Sequence, residues 1–345
     1  MTGCDILKLI TFTVPCYNSA AYMRHCIDSL LTAGDEADIL LVDDGSTDGT
    51  AAIADGYAAE HPECVRVIHQ PNSGHGEGVN QGIANAEGLY FMVVDSDDWL
   101  DEGALHQLMT RLRGFAQQLT PIDLVVCNYV CERPGGEIGR VVSYKSAMPE
   151  GTAFGWKELG RLNVSQFINI HSAIYRTELL RESGLMLPLH SYYVDNLYAY
   201  QPLPFVKTLL YLDIDLYRYF IGREDQSITQ ENLIQRIEQQ ILVTRLLIDS
   251  HDLEAVKKAN PRLGKYMYHY LSLLMMVCTI YLWESGTPEN IRRADSLWDE
   301  IKWSRPALYR RLRYNSFNVC LLPGKYGRKI NMAAYRKLRK KYKFY

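Results

Sequence analysis

Over residues 6–98, short apolar runs alternate with amphipathic stretches. The runs fall at 6–14, 39–42, 65–69 and 89–94, and the stretches between them at 19–31, 47–61 and 76–86, which predicts β-α-β-α-β-α-β. The run Ile39-Leu40-Leu41-Val42 shows no polar alternation, so both of its faces should be covered, as in a parallel sheet with crossover helices. A helix over 102–112 and a strand over 123–129 follow. Residues 131–149 read as a loop or edge hairpin, and 151–162 as a short helix. Beyond them come a strand at 171–176, a helix at 177–183 capped by Thr177, a helix at 193–200 with Asp195 near its start, and a strand at 209–219. From Ser227 onward the pattern turns helical, over 231–249, 252–259, 265–283 and 288–303. The expected organisation is an α/β domain over 1–228, with halves at 1–130 and 131–228, then a helical region over 229–345.

Composition narrows the class. With 345 residues, 47% hydrophobic and 22% charged, the chain is neither disordered, collagen-like nor a disulfide scaffold. All 40 acidic residues precede position 301, whereas 14 of the 37 Lys/Arg lie at or after Lys302. The body therefore carries −17 and the tail +14. A body that acidic repels a nucleic-acid backbone, so no nucleic-acid partner is expected, and only the tail could meet an anionic surface. Eight cysteines without metal-site spacing read as reduced, buried thiols of a cytosolic protein. The N-terminus shows no secretion signal, so a cytoplasmic location is expected. Residues 266–283 lack a formal charge and approach spanning length, but they include His269, Ser272 and Thr279. A buried or interface-lying helix is expected there, ahead of a spanning one.

In open α/β sheets, ligands bind at the carboxyl ends of the strands. After the first strand comes Pro15-Cys16-Tyr17-Asn18; after the second, Asp43-Asp44-Gly45-Ser46-Thr47-Asp48; after the fourth, Asp95-Ser96-Asp97-Asp98. Carboxylates gathered at one sheet edge repel one another unless donors or a divalent cation neutralise them. Oxygen ligands suit Mg²⁺ or Mn²⁺, which one or two carboxylates hold together with substrate phosphates. The bland alternative is that these aspartates only cap helices.

The stretches Val14–Ser19, Val42–Asp48, Asn72-Ser73-Gly74 with Asn80-Gln81-Gly82-Ile83, and Ala86–Asp98 resemble family 2 glycosyltransferases of the GT-A fold. The resemblance implies a mixed sheet flanked by helices, an inverting, non-processive enzyme and a nucleotide-diphosphate sugar donor, most commonly a UDP-sugar. It implies that Pro15, Tyr17, Asn18, Ser46 and Asn72 lie on the nucleotide side, that Asp44 binds the base, that Asp97 contacts the ribose or the metal, and that Asp98 ligates the metal. Asp195, in Tyr192-Tyr193-Val194-Asp195-Asn196, matches the family's catalytic base, with capping of its own helix as the alternative. Arg223, Gln226 and Ser227 match a segment that closes over the donor diphosphate. Val79 stands where many members carry Arg, and His75 could take over a nucleotide or diphosphate contact. His171 and His190 could reach the site from the second half, where related folds place a metal-ligating His, but structural roles are expected for both.

The tail over 302–345 mixes basic and aromatic residues, which suits peripheral contact with the inner face of the cell membrane and a glycan or lipid-linked acceptor in cell-surface polysaccharide or glycolipid synthesis. The rival use of the tail is as a layer over the acidic body. A nucleotidyltransferase would need a Gly-rich basic loop after the first strand, and none is present. A non-catalytic nucleotide-sugar or glycan binding protein on a degenerate scaffold remains the alternative, distinguished by whether the aspartates converge.

Overall fold

The alternating pattern folds into four parallel strands with helical crossovers. β1 (Ile10–Cys16) and β2 (Ala37–Asp43) pair in parallel and are buried throughout, β3 (Val65–His69) extends β2, and β4 (Tyr90–Val93) flanks β1 on its other side. The crossovers are α1 (Met23–Leu31), α2 (Thr50–Glu60) and α3 (His75–Asn85). In α1 the buried face is Met23, Cys26, Ile27 and Leu30, the spacing of an amphipathic helix.

The short β5 (Trp99–Leu100) leads into α4 (Glu102–Ala116), which is capped by Asp101 accepting from Ala104 N at 3.0 Å. There follow β6 (Leu124–Arg133), β7 (Glu137–Val142), β8 (Ala153–Phe154), β9 (Ala173–Arg176), α5 (Thr177–Glu182), α6 (Asp195–Tyr200) and β10 (Leu209–Phe220). In this computed structural model, which describes residues 7–117, 121–163, 166–221, 230–314 and 324–342, the strands form one sheet in the order β3-β2-β1-β4-β9-β6-β10-β5. β7 pairs with β6, and β8 with β10. β9 runs antiparallel to β4 and β6, which makes the sheet mixed.

Two local expectations give way. Residues 151–162 hold β8 and a single 3₁₀ turn (Trp156–Glu158) instead of a helix, because Gly151 takes φ +70° and the Trp156 indole N–H is committed to Val206 O at 2.8 Å. Thr177 does not cap α5. It is the first helical residue, and its hydroxyl donates to Gly88 O at 2.5 Å.

The chain divides into units at 1–222 and 223–345. The second unit contains α7 (Gln230–Gln235), α8 (Ile237–Ser250), α9 (Leu253–Ala259), α10 (Pro261–Glu284), α11 (Pro288–Ser304), α12 (Pro306–Arg313) and α13 (Gly324–Tyr342). The 231–249 stretch is thus two helices, interrupted at Arg236. α10 is the core of this unit: α8, α9, α11, α12 and α13 pack on it, and Met267, Leu271, Met275 and Cys278 are fully buried. Among the described residues no helix is long and apolar enough to cross a membrane. The six described cysteines are buried and free.

Candidate active site

The first loops of the rim are built from mutual hydrogen bonds. Asn18 takes φ +50°, accepts at Oδ1 from Thr47 N at 2.9 Å, and donates its own N–H to Ser46 Oγ at 3.0 Å. Asp44 is buried. Its Oδ1 accepts from Gln70 Nε2 (2.7 Å) and Ser73 N (2.8 Å), and its Oδ2 from Gly74 N (2.7 Å). One Oδ2 lone pair is left by these bonds. Asp43 accepts from Ser46 N at 3.1 Å and pairs with His69 Nδ1 at 3.0 Å, while Asp48 accepts from Thr50 N at 2.9 Å at the start of α2. Helix capping therefore accounts for Asp48 but not for Asp43 or Asp44. Tyr17 and Asn72 are exposed beside these loops, and Pro15 packs on Gly78 of α3.

The end of β4 carries the second cluster. Asp98, 1% exposed, accepts from Phe220 N at 2.8 Å and from the Tyr217 hydroxyl at 2.7 Å, so the end of β10 orients it. The Tyr217 oxygen in turn accepts from Asp95 N at 3.1 Å. Asp95 meets His75 Nε2 at 2.8 Å through one oxygen and His171 Nε2 at 3.9 Å through the other. The imidazole of His171 stacks on Tyr219, with ring centroids 4.4 Å apart, and its Nδ1 faces Asn169 Nδ2 at 3.5 Å. One ligand atom from each of Asp95, Asp98 and His171 lies within 4.8 Å of the others. Asp97 is half-buried and stands outside that trio, yet its charge acts on both Asp98 and His75. Neither Asp97 nor Asp98 caps α4, since Asp101 does.

The titration behaviour divides these groups. Burial, with the charges of Asp97 and Asp95, pushes Asp98 well above the carboxylate range. Burial also acts against ionised Asp95, but His75 and His171 outweigh it and hold that carboxyl well below the range. Burial works against protonation of His75, and the charges of Asp95, Asp195 and Asp97 raise its pKa nonetheless.

Asp195 is the first residue of α6, whose N-cap is Val194, and its carboxylate accepts from Asn196 Nδ2 at 3.2 Å. Burial raises its pKa against the opposing pull of His171 and His75, so it stands within electrostatic reach of both. Its place is fixed from α3. Asn80 donates to Leu187 O at 3.0 Å and accepts from Leu187 N at 2.9 Å, and His190 N donates to Ser73 O at 2.8 Å. Gly74, at φ +90°, lies so close to this loop that a Cβ would come 2.9 Å from His190 N. Val79 is fully buried, and His190 is exposed.

The structure thus brings Asp95, Asp97, Asp98, His75 and Asp195 to one rim and adds His171 to them. Arg223, Gln226 and Ser227 lie outside the described residues.

Residues 11–131 match the family model Glycosyl transferase family 2. The chain carries a family 2 glycosyltransferase domain. It is 26% identical over 298 residues to EpsH of Bacillus subtilis (strain 168), a glycosyltransferase by name, covering 80% of this chain and 78% of EpsH. Its fold is similar to that of S. aureus TarS 1-349, solved with UDP-GlcNAc, at TM-score 0.59 and 20% identity over 95% of this chain and 92% of TarS. The mannosyltransferase PcManGT of Pyrobaculum calidifontis, solved with GDP-Man and Mn²⁺, aligns at TM-score 0.51 and 13% identity over 94% and 86% of the two chains.

The Asp95, Asp98 and His171 donor set fits a divalent cation. Two carboxylates supply charge, and the Nε2 atom of the imidazole faces them. Among the described residues Asp98 pairs with no Lys or Arg. The carboxylates at the other end of the strands differ: Asp38 pairs with Arg66 (2.8 Å) and Asp123 with Arg176 (3.1 Å).

Proposed function

We propose that this glycosyltransferase inverts the anomeric centre of a nucleotide-diphosphate sugar, preferentially a UDP-sugar. In this reading it transfers the sugar to a hydroxyl of a glycan or lipid-linked acceptor in cell-surface polysaccharide or glycolipid synthesis, from the cytoplasmic side. The observation that carries the proposal is the grouping of Asp95, Asp98 and His171 at the sheet rim, with Asp195 in electrostatic reach. TarS with UDP-GlcNAc and PcManGT with GDP-Man and Mn²⁺ share the fold, which supports a nucleotide-sugar donor and a cation.

Asp95, Asp98 and His171 would hold Mn²⁺ or Mg²⁺, whose chemistry is to neutralise charge on a departing diphosphate. An imidazole among the ligands favours Mn²⁺ of the two. The free lone pair on Asp44 Oδ2 can accept an N–H such as that of a uracil, and Tyr17, Asn18, Ser46 and Asn72 edge the same loops. His75, whose pKa is raised by the charge of Asp95 beside it, can offer its imidazole N–H to the diphosphate. Asp195 takes the proton of the acceptor hydroxyl, and its raised pKa makes it a stronger base than a solvated carboxylate.

The test measures UDP release from UDP-sugars in the presence of Mn²⁺, alongside UDP binding. Asp195→Asn is expected to lower turnover by roughly 10²–10⁴-fold while UDP affinity persists. Unchanged turnover would remove Asp195 from the mechanism. Donor binding without turnover by the unaltered chain, across donors and acceptors, would favour the binding-protein alternative.

A further inference from the structure

α13 has two unlike sides. Toward α10 it turns the buried Gly327 and Asn331, Tyr335 meets Tyr281 hydroxyl to hydroxyl at 3.0 Å, and Arg336 pairs with the buried Glu284 at 3.2 Å. On the outward side Tyr326 is 80% exposed and Ile330 58%, with Ala333 and Ala334 also exposed. These positions are i, i+4, i+7 and i+8, a continuous apolar stripe along the helix. Exposed Lys325 and Lys329 border the stripe, and exposed Lys337 stands at its end. No acidic residue follows Glu300 anywhere in the sequence.

We propose that α13 is a membrane-surface helix that seats the protein on an anionic lipid bilayer, with the Tyr326–Ile330 stripe in the headgroup boundary and Lys325, Lys329 and Lys337 among the lipid phosphates. This goes beyond the transferase reading and is independent of it. A bilayer is the occupant because the exposed stripe is narrow, is headed by an amphipathic phenol and is bordered on its solvent edge by Lys325 and Lys329, which is the make-up of an interfacial helix. A nucleic acid would meet the −17 carried by residues 1–301, and the helix is too polar to span.

Flotation of the full chain with phosphatidylcholine vesicles, and with vesicles enriched in phosphatidylglycerol, tests the proposal. Binding to the anionic vesicles is expected to exceed that to neutral ones by about tenfold or more. It should fall away at roughly 1 M salt, where the Debye length is only a few ångströms. Tyr326→Ser with Ile330→Ser should lower flotation several-fold, with circular dichroism and turnover on a soluble acceptor unchanged. Lys325→Gln with Lys329→Gln should flatten the salt dependence. Equal flotation of the serine variant and the parent overturns the proposal, as does retention on heparin or RNA without flotation.

Discussion

The first unit holds two Asp-x-Asp clusters that look alike in sequence and are neutralised by different partners. At the end of β4, Asp95, Asp97 and Asp98 face two imidazoles, and Asp98 is pushed up. In the bulged part of β10, Asp213 and Asp215 share the Asn128 amide at 3.0 Å each, and Asp213 also takes Lys145 Nζ at 2.6 Å. The bonds from Lys145 and Asn128 lower Asp213 from 3.8 to about 2. The second cluster is balanced by fixed protein donors and needs nothing further. Among the described residues Asp95 and Asp98 meet two imidazoles and no Lys or Arg, which is the arrangement the proposed cation rests on. Acidic clusters are told apart by whether the fold has already neutralised them.

Three substitutions break or sharpen the contrast. The largest effect belongs to Asp98→Asn, which should abolish Mn²⁺-dependent UDP binding and lower turnover by ~10³-fold. Because burial penalises the ionised form of Asp98, the same change should raise the melting temperature of the metal-free protein at neutral pH. A lowered melting temperature would show that its bonds to Tyr217 and Phe220 outweigh that penalty. Next, His171→Asn should weaken Mn²⁺ by at least about tenfold and shift the preference toward Mg²⁺, read by calorimetry and by turnover in each metal. The smallest effect on activity belongs to Asp213→Asn, which should leave donor binding intact and cost about 1–3 kcal/mol of stability. That cost carries a pH signature. A depressed carboxyl stabilises above its ordinary value and ceases to as pH falls through the folded one, so parent and variant should converge between 3.8 and about 2. A gap independent of pH would refute the electrostatic origin.

The parallel half was legible because buried crossover strands leave unbroken apolar runs, and strand ends in such sheets point to ligands. Asp98 was found that way. His171 was not, because its position depends on direction. β9 runs antiparallel to β4, pairing Tyr90 with Arg176 and Phe91 with Tyr175, so the residues just before β9 arrive at the carboxyl end of β4. No local pattern announces the direction of a four-residue strand. The structural part played by Asp44, whose carboxylate holds the 70–74 loop, was equally invisible, since its partners are mostly backbone N–H groups. The expected helix at 151–162 failed for a tertiary reason, the anchoring of Trp156 on Val206.

The clasp between Asn80 and Leu187 has a consequence for engineering. Because the 187–195 segment is anchored on α3, a chimera that joins this first half to another protein's second half would inherit a displaced Asp195. A workable crossover would have to carry residues 74–80 and 187–195 from the same parent.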